Sequence, residues 1–447
     1  MRTRGTLAKV LYSAGNISAA LPSQFFSTFV IFFYVDTLKL PPTLVGTGMV
    51  LYGIWNAIND PLFGQLSDQT RTRWGRRIPY ILFGTLPLAL AFALVWVPPF
   101  RMPGAQWPLF SWFMATIFLF DGLYTLVILN WTALYPEMYP SAAERASVSA
   151  LRQFLGIIGM IIGTALPPVL ISAVGWGGTG AIFAVLTALF LGLSLLGAHE
   201  RPEAAEQQGL KLIPALRQTF GNRSFLTFLG ASLFIQFTFV TLTSVIPFFA
   251  KYVLRATSFQ TTVLLGSIFI VSLPLVYVWS RLTVRWGARK AMIVAASLYG
   301  LGLTPFLFVN SFLGGVLTTL LLAVGLSGLM ILFDILIAEV VDEDELRTGI
   351  RREGMHFGVN GFMVRLGISL QAIIVSQVLS RTGYSADLAV QPASAIAGLR
   401  ALVTVVPWIA LVIAIVSIYF YPLHGARLAE VQRRVAAKHA GAGVQAD

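Results

Sequence analysis

Twelve apolar runs, each long enough for a helix to cross a bilayer, dictate what this chain can become. A spanning helix needs about 20 apolar residues. Such runs cover roughly 9–35, 42–66, 78–98, 107–135, 147–174, 178–197, 222–252, 259–283, 287–309, 311–340, 356–380 and 397–422. In lipid every backbone polar group must be satisfied within its own segment, so the runs read as helices. The predicted fold is an all-α membrane protein with twelve transmembrane helices in two six-helix bundles. The basic N-terminus leads into the first run without a small-residue cleavage site, which predicts a first span and not a removed leader.

Only 11% of the residues are charged, against about 25% in soluble proteins. An ordinary soluble enzyme and a disordered chain are excluded. The net charge of +12 sits in short loops between apolar runs, a topology signal and not a nucleic-acid footprint. There is no Cys, so disulfides, thiolate chemistry and Cys-ligated zinc are ruled out. His199, His356, His424 and His439 show no metal-ligand spacing. No cofactor is expected, and no Ser/His/Asp, paired-carboxylate or metal constellation falls within a span, so an enzyme is not predicted.

The longest polar interruption lies at 198–221 and divides the chain into a bundle at 1–197 and a second at 222–422, followed by a tail at 423–447. Arg71, Arg73, Arg76 and Arg77, then Arg281, Arg285, Arg289 and Lys290, then Arg347, Arg351 and Arg352 crowd alternate loops together with the linker and tail. The positive-inside rule puts both termini in the cytoplasm. Arg73-Trp74-Gly75 recurs as Arg285-Trp286-Gly287, each between the second and third spans of a half. A repeat about an axis along the membrane normal is the layout of major facilitator transporters. The tail starts as a basic amphipathic helix, read as a solvated surface helix first and a contact for anionic lipid second.

Ionisable residues inside spans are costly and therefore functional candidates. They are Asp60, Asp121, Arg152, Asp334 and Arg365. Asp60 precedes Pro61, which frees a backbone carbonyl one turn back. Carboxylate, carbonyl and amide oxygens together suit a hard cation.

Three segments carry a family resemblance: residues 32–84 (FFYVDTLKLPP through WNAINDPLFGQLSDQTRTRWGRRIPYILFG), NWTALYPEM at 130–138, and AEVVDEDELRTGIRREGMHFG at 338–358. The chain resembles the glycoside–pentoside–hexuronide:cation symporters, the melibiose-permease-like branch of the major facilitator superfamily. The resemblance implies two bundles rocking about a central site, with uptake of a sugar or glycoside coupled to Na⁺ or H⁺. It implies a cation site at Asn56, Asp60 and Thr125. The family has two acids one turn apart on span two, and here the first is Asn56. One carboxylate fewer weakens a Na⁺ site, and a lone buried carboxylate at Asp60 suits H⁺. The family's acidic sugar acceptors fall at Ala20 and Ile128, both apolar. Asn16 and Gln24 flank Ala20 on the same face, and Asn130-Trp131 stands for the Pro-Tyr of span four. The family's central and span-eleven basic residues are Arg152 and Arg365.

The expected substrate site is therefore Asn16, Gln24, Trp131, Arg152 and Arg365, with Trp55 or Trp131 as an aromatic platform. Two arginines without adjacent acids favour an anionic group, unless they pair with Asp334, Asp60 or Asp121. The expected gate is Asp68, Arg76 and Arg77, facing Asp342, Asp344, Arg351 and Arg352. The function read is cation-coupled symport of a sugar or glycoside, H⁺ favoured over Na⁺. Transport of a lysophospholipid-like amphiphile or an organic anion is the alternative, and a non-transporting receptor on the same fold ranks below both. The partners expected are a small-molecule substrate and membrane lipid, with no nucleic acid, in a monomer of a bacterial inner or plasma membrane.

Overall fold

The computed structural model describes residues 5–139, 142–200, 221–349 and 353–444. Those residues form helices and no strands. The first half holds α1 (Thr6–Phe32, prolonged by a π turn over Phe33–Thr37), α2 (Pro42–Gln69), α3 (Ile78–Val95), α4 (Gln106–Met138), α5 (Ala142–Ala165) and α6 (Pro167–Gly197). The second holds α7 (Arg223–Tyr252), α8 (Ser258–Trp286), α9 (Ala288–Leu303), α10 (Phe312–Thr348), α11 (Glu353–Arg381) and a last span broken into α12 (Ala393–Val403) and α13 (Val405–Tyr419). The tail is α14 (Gly425–Val444).

Eleven of these spans are long and apolar enough to cross a membrane. The twelfth, α2, matches them in length with 28 residues but carries Asn56, Asn59 and Asp60 along its middle. Its polarity is local and marks where chemistry has replaced hydropathy. The break between spans five and six differs from the expected 174–178. It falls at Leu166, where Pro167 and Pro168 open α6, because proline is tolerated in the first helical turn and not in an interior. The expected break survives as a kink at Gly175 inside α6.

The two halves pack by one plan. In the first, α1 meets α5 and α6, α3 meets α4 and α6, and α2 meets α4. In the second, α7 meets α11 and α13, α9 meets α10 and α13, and α8 meets α10. The Arg-Trp-Gly repeat has a conformational cause: Gly75 and Gly287 both hold positive φ, 103° and 80°, a region that penalises a Cβ. Each half also stops its first helix with a basic residue at positive φ, Lys39 and Arg255.

Between the halves, α1 packs on α7, α2 on α11, and α5 and α6 on α8. The α2–α11 contact is close because Gly46 and Gly53 lie against Ser376 and Ser369, where a Cβ would collide. Small residues at such crossings let backbones approach in lipid. This seam runs straight to Asp60 and Arg365.

The tail does not stand free. Arg427 pairs with Glu343 at 2.6 Å and Lys438 with Glu345 at 3.0 Å, which lays α14 on the end of α10. The sequence reading of a solvated surface helix did not foresee these acids, which sit in the last turns of the tenth span.

Candidate functional site

The polar centre of the first half is Asp121 on α4, which is 3% exposed. Its Oδ1 accepts from the Tyr52 hydroxyl at 3.0 Å and from Asn56 Nδ2 at 2.5 Å. Its Oδ2 accepts from Asn59 Nδ2 at 2.5 Å. Thr125 donates to Asn59 Oδ1 at 3.3 Å, closing the cluster. Tyr52, Asn56 and Asn59 follow the i, i+4, i+7 spacing that puts residues on one helix face. A buried carboxylate needs such donors, since each missing bond would cost on the order of 1–3 kcal/mol. Asn56 Oδ1, in contrast, is buried with no hydrogen-bond partner.

Asn56, Asp60 and Thr125 were expected to form one cation site. The structure joins Asn56 and Thr125 through Asn59 and Asp121, and turns Asp60 away. Asp60 forms an ion pair with Arg365 of α11, with both side chains about a third exposed (30% and 31%). The same guanidinium lies 3.5 Å from the Asn56 carbonyl. Asp60 is thus not the lone buried carboxylate expected. Arg365 is not an arginine without an acid, because α2 and α11 cross where these two side chains meet.

The second cluster surrounds Arg152 on α5. Its guanidinium carbon sits 4.4 Å from the centre of the Trp131 ring, 4.7 Å from Tyr135 and 5.9 Å from Tyr12. Aromatic faces attract a cation through their quadrupole. Its Nε is buried without a hydrogen-bond partner, and no carboxylate bonds it among the described residues. Asn16 donates to the Arg152 carbonyl at 2.7 Å.

Trp131 was expected as an open platform, but it is 1% exposed. It stacks on Tyr12 at 5.2 Å and donates to Ser194 Oγ at 2.7 Å. It supports the arginine from behind. Gln24 lies apart from this cluster, at the α1–α5 seam, 3.5 Å from Thr164 Oγ1. Asn16, Trp131 and Arg152 therefore meet, while Gln24 and Arg365 belong to other contacts. Trp55 stacks on Phe118 at 5.7 Å beside the Asp121 cluster.

Residues 11–425 match the MFS/sugar transport protein family. This chain belongs to that family. It is an integral membrane protein and a secondary transporter, not an enzyme. The chain is 26% identical over 426 residues to the isoprimeverose transporter of Lactiplantibacillus pentosus, covering 92% of this chain and 87% of that one. It is 26% identical over 440 residues to the glucuronide carrier protein homolog of Escherichia coli (strain K12), covering 94% and 93%. The solved nucleoside transporter NupG superposes with a TM-score of 0.68 at 13% identity, over 94% of this chain and 100% of that one, a likeness of fold alone.

The two faces of the transporter are tied differently. On the face away from the termini, Asp36 of the first half receives three donors from the second: Lys251 Nζ at 2.7 Å, and the Tyr252 and Tyr384 hydroxyls at 2.6 Å each. Burial, then the nearby Asp36 carboxylate, push the Tyr384 hydroxyl well above its ordinary pKa, so it remains a donor. Lys39 and Asp387 add an exposed pair at 2.5 Å.

On the face bearing the termini, Arg76 and Arg77 bind Glu137 at 2.6 and 2.9 Å. Glu200 accepts from the Arg76 and Arg77 backbone N–H groups at 2.8 and 3.0 Å, at the start of α3. A carboxylate there satisfies open helix donors and the helix dipole. These bonds lie within the first half. Asp342 sits partly buried in the last turns of α10, with Asp344 buried beside it. The Asp68 side chain, Arg351 and Arg352 lie outside the described residues.

Sequence reasoning missed Asp121 as a hub, together with Tyr52, Asn59, Asp36, Glu137 and Glu200. The signal for Asp121 was present, since it is one of few acids within a span. What pointed to Asn59 and Tyr52 was their helical spacing around Asn56.

Proposed function

We propose that the protein is a cation-coupled symporter that carries a sugar or glycoside by alternating access, with H⁺ favoured over Na⁺. The observation that carries this reading is the Asp60–Arg365 pair, the mid-span ionic contact between the two halves. Charged groups at that depth are retained where they do work. A bond between halves that breaks and re-forms as they rock is a ready element for a transport cycle. The likeness to the isoprimeverose transporter supports a glycosidic substrate. On this reading both termini face the cytoplasm of a bacterial inner membrane. The Asp36 latch then closes the outer side, and the substrate path opens inward. The working unit is a monomer that needs no cofactor. Asn16 and Arg152 are the substrate contacts, and Trp131 holds Arg152 in place.

A second reading is favoured by Arg152. Its partner-free Nε and aromatic cage suit a carboxylate, sulfonate or phosphate on the substrate, and one relative is a glucuronide carrier homolog. Two nearly isosteric probes separate the readings: methyl β-glucoside and methyl β-glucuronide, which differ only at carbon 6. In energised membrane vesicles, uptake of the glucoside driven by an inward proton gradient and unchanged by replacing Na⁺ with choline supports the first. Preference for the glucuronide, abolished in Arg152→Gln, supports the second. Lysophosphatidylcholine carried in place of either, and lost in Arg152→Gln, keeps the second reading with a phosphate as its anion, and transport of none of the three overturns both.

A further inference from the structure

We propose that Asp121, and not Asp60, carries the coupling proton, and that the Asn56 amide follows its charge. The proposal rests on the reading of this protein as an ion-coupled symporter and names the group that takes the ion.

Asp60 is poorly placed to exchange a proton. Its charge is matched by Arg365, and protonation would leave a guanidinium unmatched at the seam. Asp121 is bonded only to neutral groups: Tyr52, Asn56 and Asn59. Protonation there breaks no ion pair. It turns one carboxylate oxygen from acceptor into donor, so one of its three partners must become an acceptor. Asn56 is built for this, because its Oδ1 is buried and without a partner while its Nδ2 serves the carboxylate. A half-turn of that amide presents the idle oxygen to the new O–H. The proton moves from water to an Asp121 carboxylate oxygen, and no other covalent bond changes. Na⁺ fits less well, since the three groups facing Asp121 present N–H and O–H hydrogens where a hard cation requires oxygens.

The surroundings leave Asp121 as the free titrating carboxylate of the cluster. From α2 it faces Tyr52, while Asp60, about two turns further along, is turned away and held by Arg365 of α11. On its own helix the titratable neighbour is Tyr124, whose hydroxyl is committed to the Ala19 carbonyl at 2.8 Å. From α1 and α3, Phe26 and Phe92 close the site, packed on Phe120 at 5.4 and 5.2 Å between ring centres.

Asn56 also connects the site to the moving seam. Its side chain bonds Asp121, and its backbone carbonyl is a partner of Arg365. A change of charge on α4 is therefore felt on α2 next to the residue that grips the other half.

The test uses the full chain in phospholipid nanodiscs without any sugar. Infrared difference spectra between mildly alkaline and mildly acidic buffer report a neutral carboxyl group by its C=O stretch. The wild type should gain one such buried band. Asp121→Asn should lose it, Asp121→Glu should keep it shifted, and Asp60→Asn should keep it unchanged. Asn56→Leu should displace its midpoint. A band retained in Asp121→Asn, lost in Asp60→Asn, or absent from the wild type overturns the assignment. Loss of the band when NaCl replaces choline chloride at fixed pH assigns the site to Na⁺ and overturns the proton.

A parallel vesicle assay with methyl β-glucoside should show accumulation lost and counterflow kept in Asp121→Asn. If wild-type vesicles do not carry the glucoside, the glycoside reading falls while the infrared result still decides the proton site.

Discussion

The two halves share an ionic plan but spend it differently. Each has an Asp on its fourth span and an Arg on its fifth. Asp334 follows Asp121 by 213 residues (334 minus 121), and Arg365 follows Arg152 by the same offset (365 minus 152). In the first half these charges turn inward, Asp121 to the amides of α2 and Arg152 to three aromatic rings. In the second they are not enclosed by their own half. Asp334 is exposed in mid-helix and makes no bond among the described residues, and Arg365 crosses to Asp60. Duplicated packing thus coexists with divided labour, in which the first half keeps a self-contained polar core and the second lends its arginine to the seam. The Asp36 and Asp60 bonds have one polarity, an acid of the first half taking donors from the second. The reversed pair, Lys39–Asp387, is well exposed, at 47% and 72%.

The largest effect should come from breaking the mid-membrane bond. Removing one partner of a buried ion pair costs about 3–5 kcal/mol. This pair is a third exposed, so a cost of about 1–3 kcal/mol is the better expectation. Arg365→Ala should slow sugar counterflow more than about tenfold, and the double variant Asp60→Ala/Arg365→Ala should be more stable to heat than Arg365→Ala alone. Asp334→Asn, which removes the symmetry-related charge of α4's counterpart, should move stability by less than about 0.5 kcal/mol. Equal damage from Asp334→Asn would collapse the distinction between charges enclosed by their own half and charges that are not.

The next effect tests the polarity of the seam. The chain has no native Cys, so one introduced thiol reports alone. Ala165, buried where α5 meets Gly266 of α8, is a conservative site for it. In Ala165→Cys, adding Asp36→Asn should raise maleimide labelling about tenfold, the shift that roughly 1.4 kcal/mol produces. The charge-assisted bonds from Lys251, Tyr252 and Tyr384 are strong enough to supply it. Asp387→Asn should change labelling less than about twofold, since exposed pairs contribute little. Similar responses from both would show that the direction of the bond carries no weight.

Much of this architecture is written in the sequence, because lipid leaves few alternatives for an apolar run. Spans, halves and the repeated loop could be read directly. The α5–α6 break was misplaced since the apolar run continues past Pro167 and Pro168 to the glycines of GWGG at 175–178, while those prolines in fact begin a helix. The site was legible by residue type and not by partner. Asp60, Arg152 and Arg365 stand out as ionisable residues in apolar spans, whereas Asn56 and Thr125 were named through the family resemblance. Whether Asp60 faces Asp121 or Arg365 depends on the crossing of α2 with α11, and that crossing is set by Gly46 and Gly53, which as isolated glycines carry no signal. Trp131 was misread for a similar reason, since an indole beside a cavity and one behind an arginine look alike in a string of letters.

The smallest effect sharpens the comparison at the repeated loops. Gly75 and Gly287 both hold positive φ, yet their surroundings differ. A Cβ at Gly287 meets no atom within 4 Å, whereas one at Gly75 collides with the Glu200 carboxylate. Gly287→Ala therefore pays the backbone penalty alone, about 1–2 kcal/mol. Gly75→Ala pays that penalty and also displaces Glu200 from the start of α3. Losing a helix-capping carboxylate adds about 0.5–2 kcal/mol. Thermal unfolding in detergent should rank Gly75→Ala below Gly287→Ala. The gap should close in a Glu200→Ala background, where the carboxylate is already gone. If the two glycines cost the same with Glu200 in place, the first loop is only a turn. If the gap is present and Glu200→Ala removes it, this loop is where the first half fastens its own charges on the face bearing the termini, a fastening for which the open turn at Gly287 has no neighbouring carboxylate.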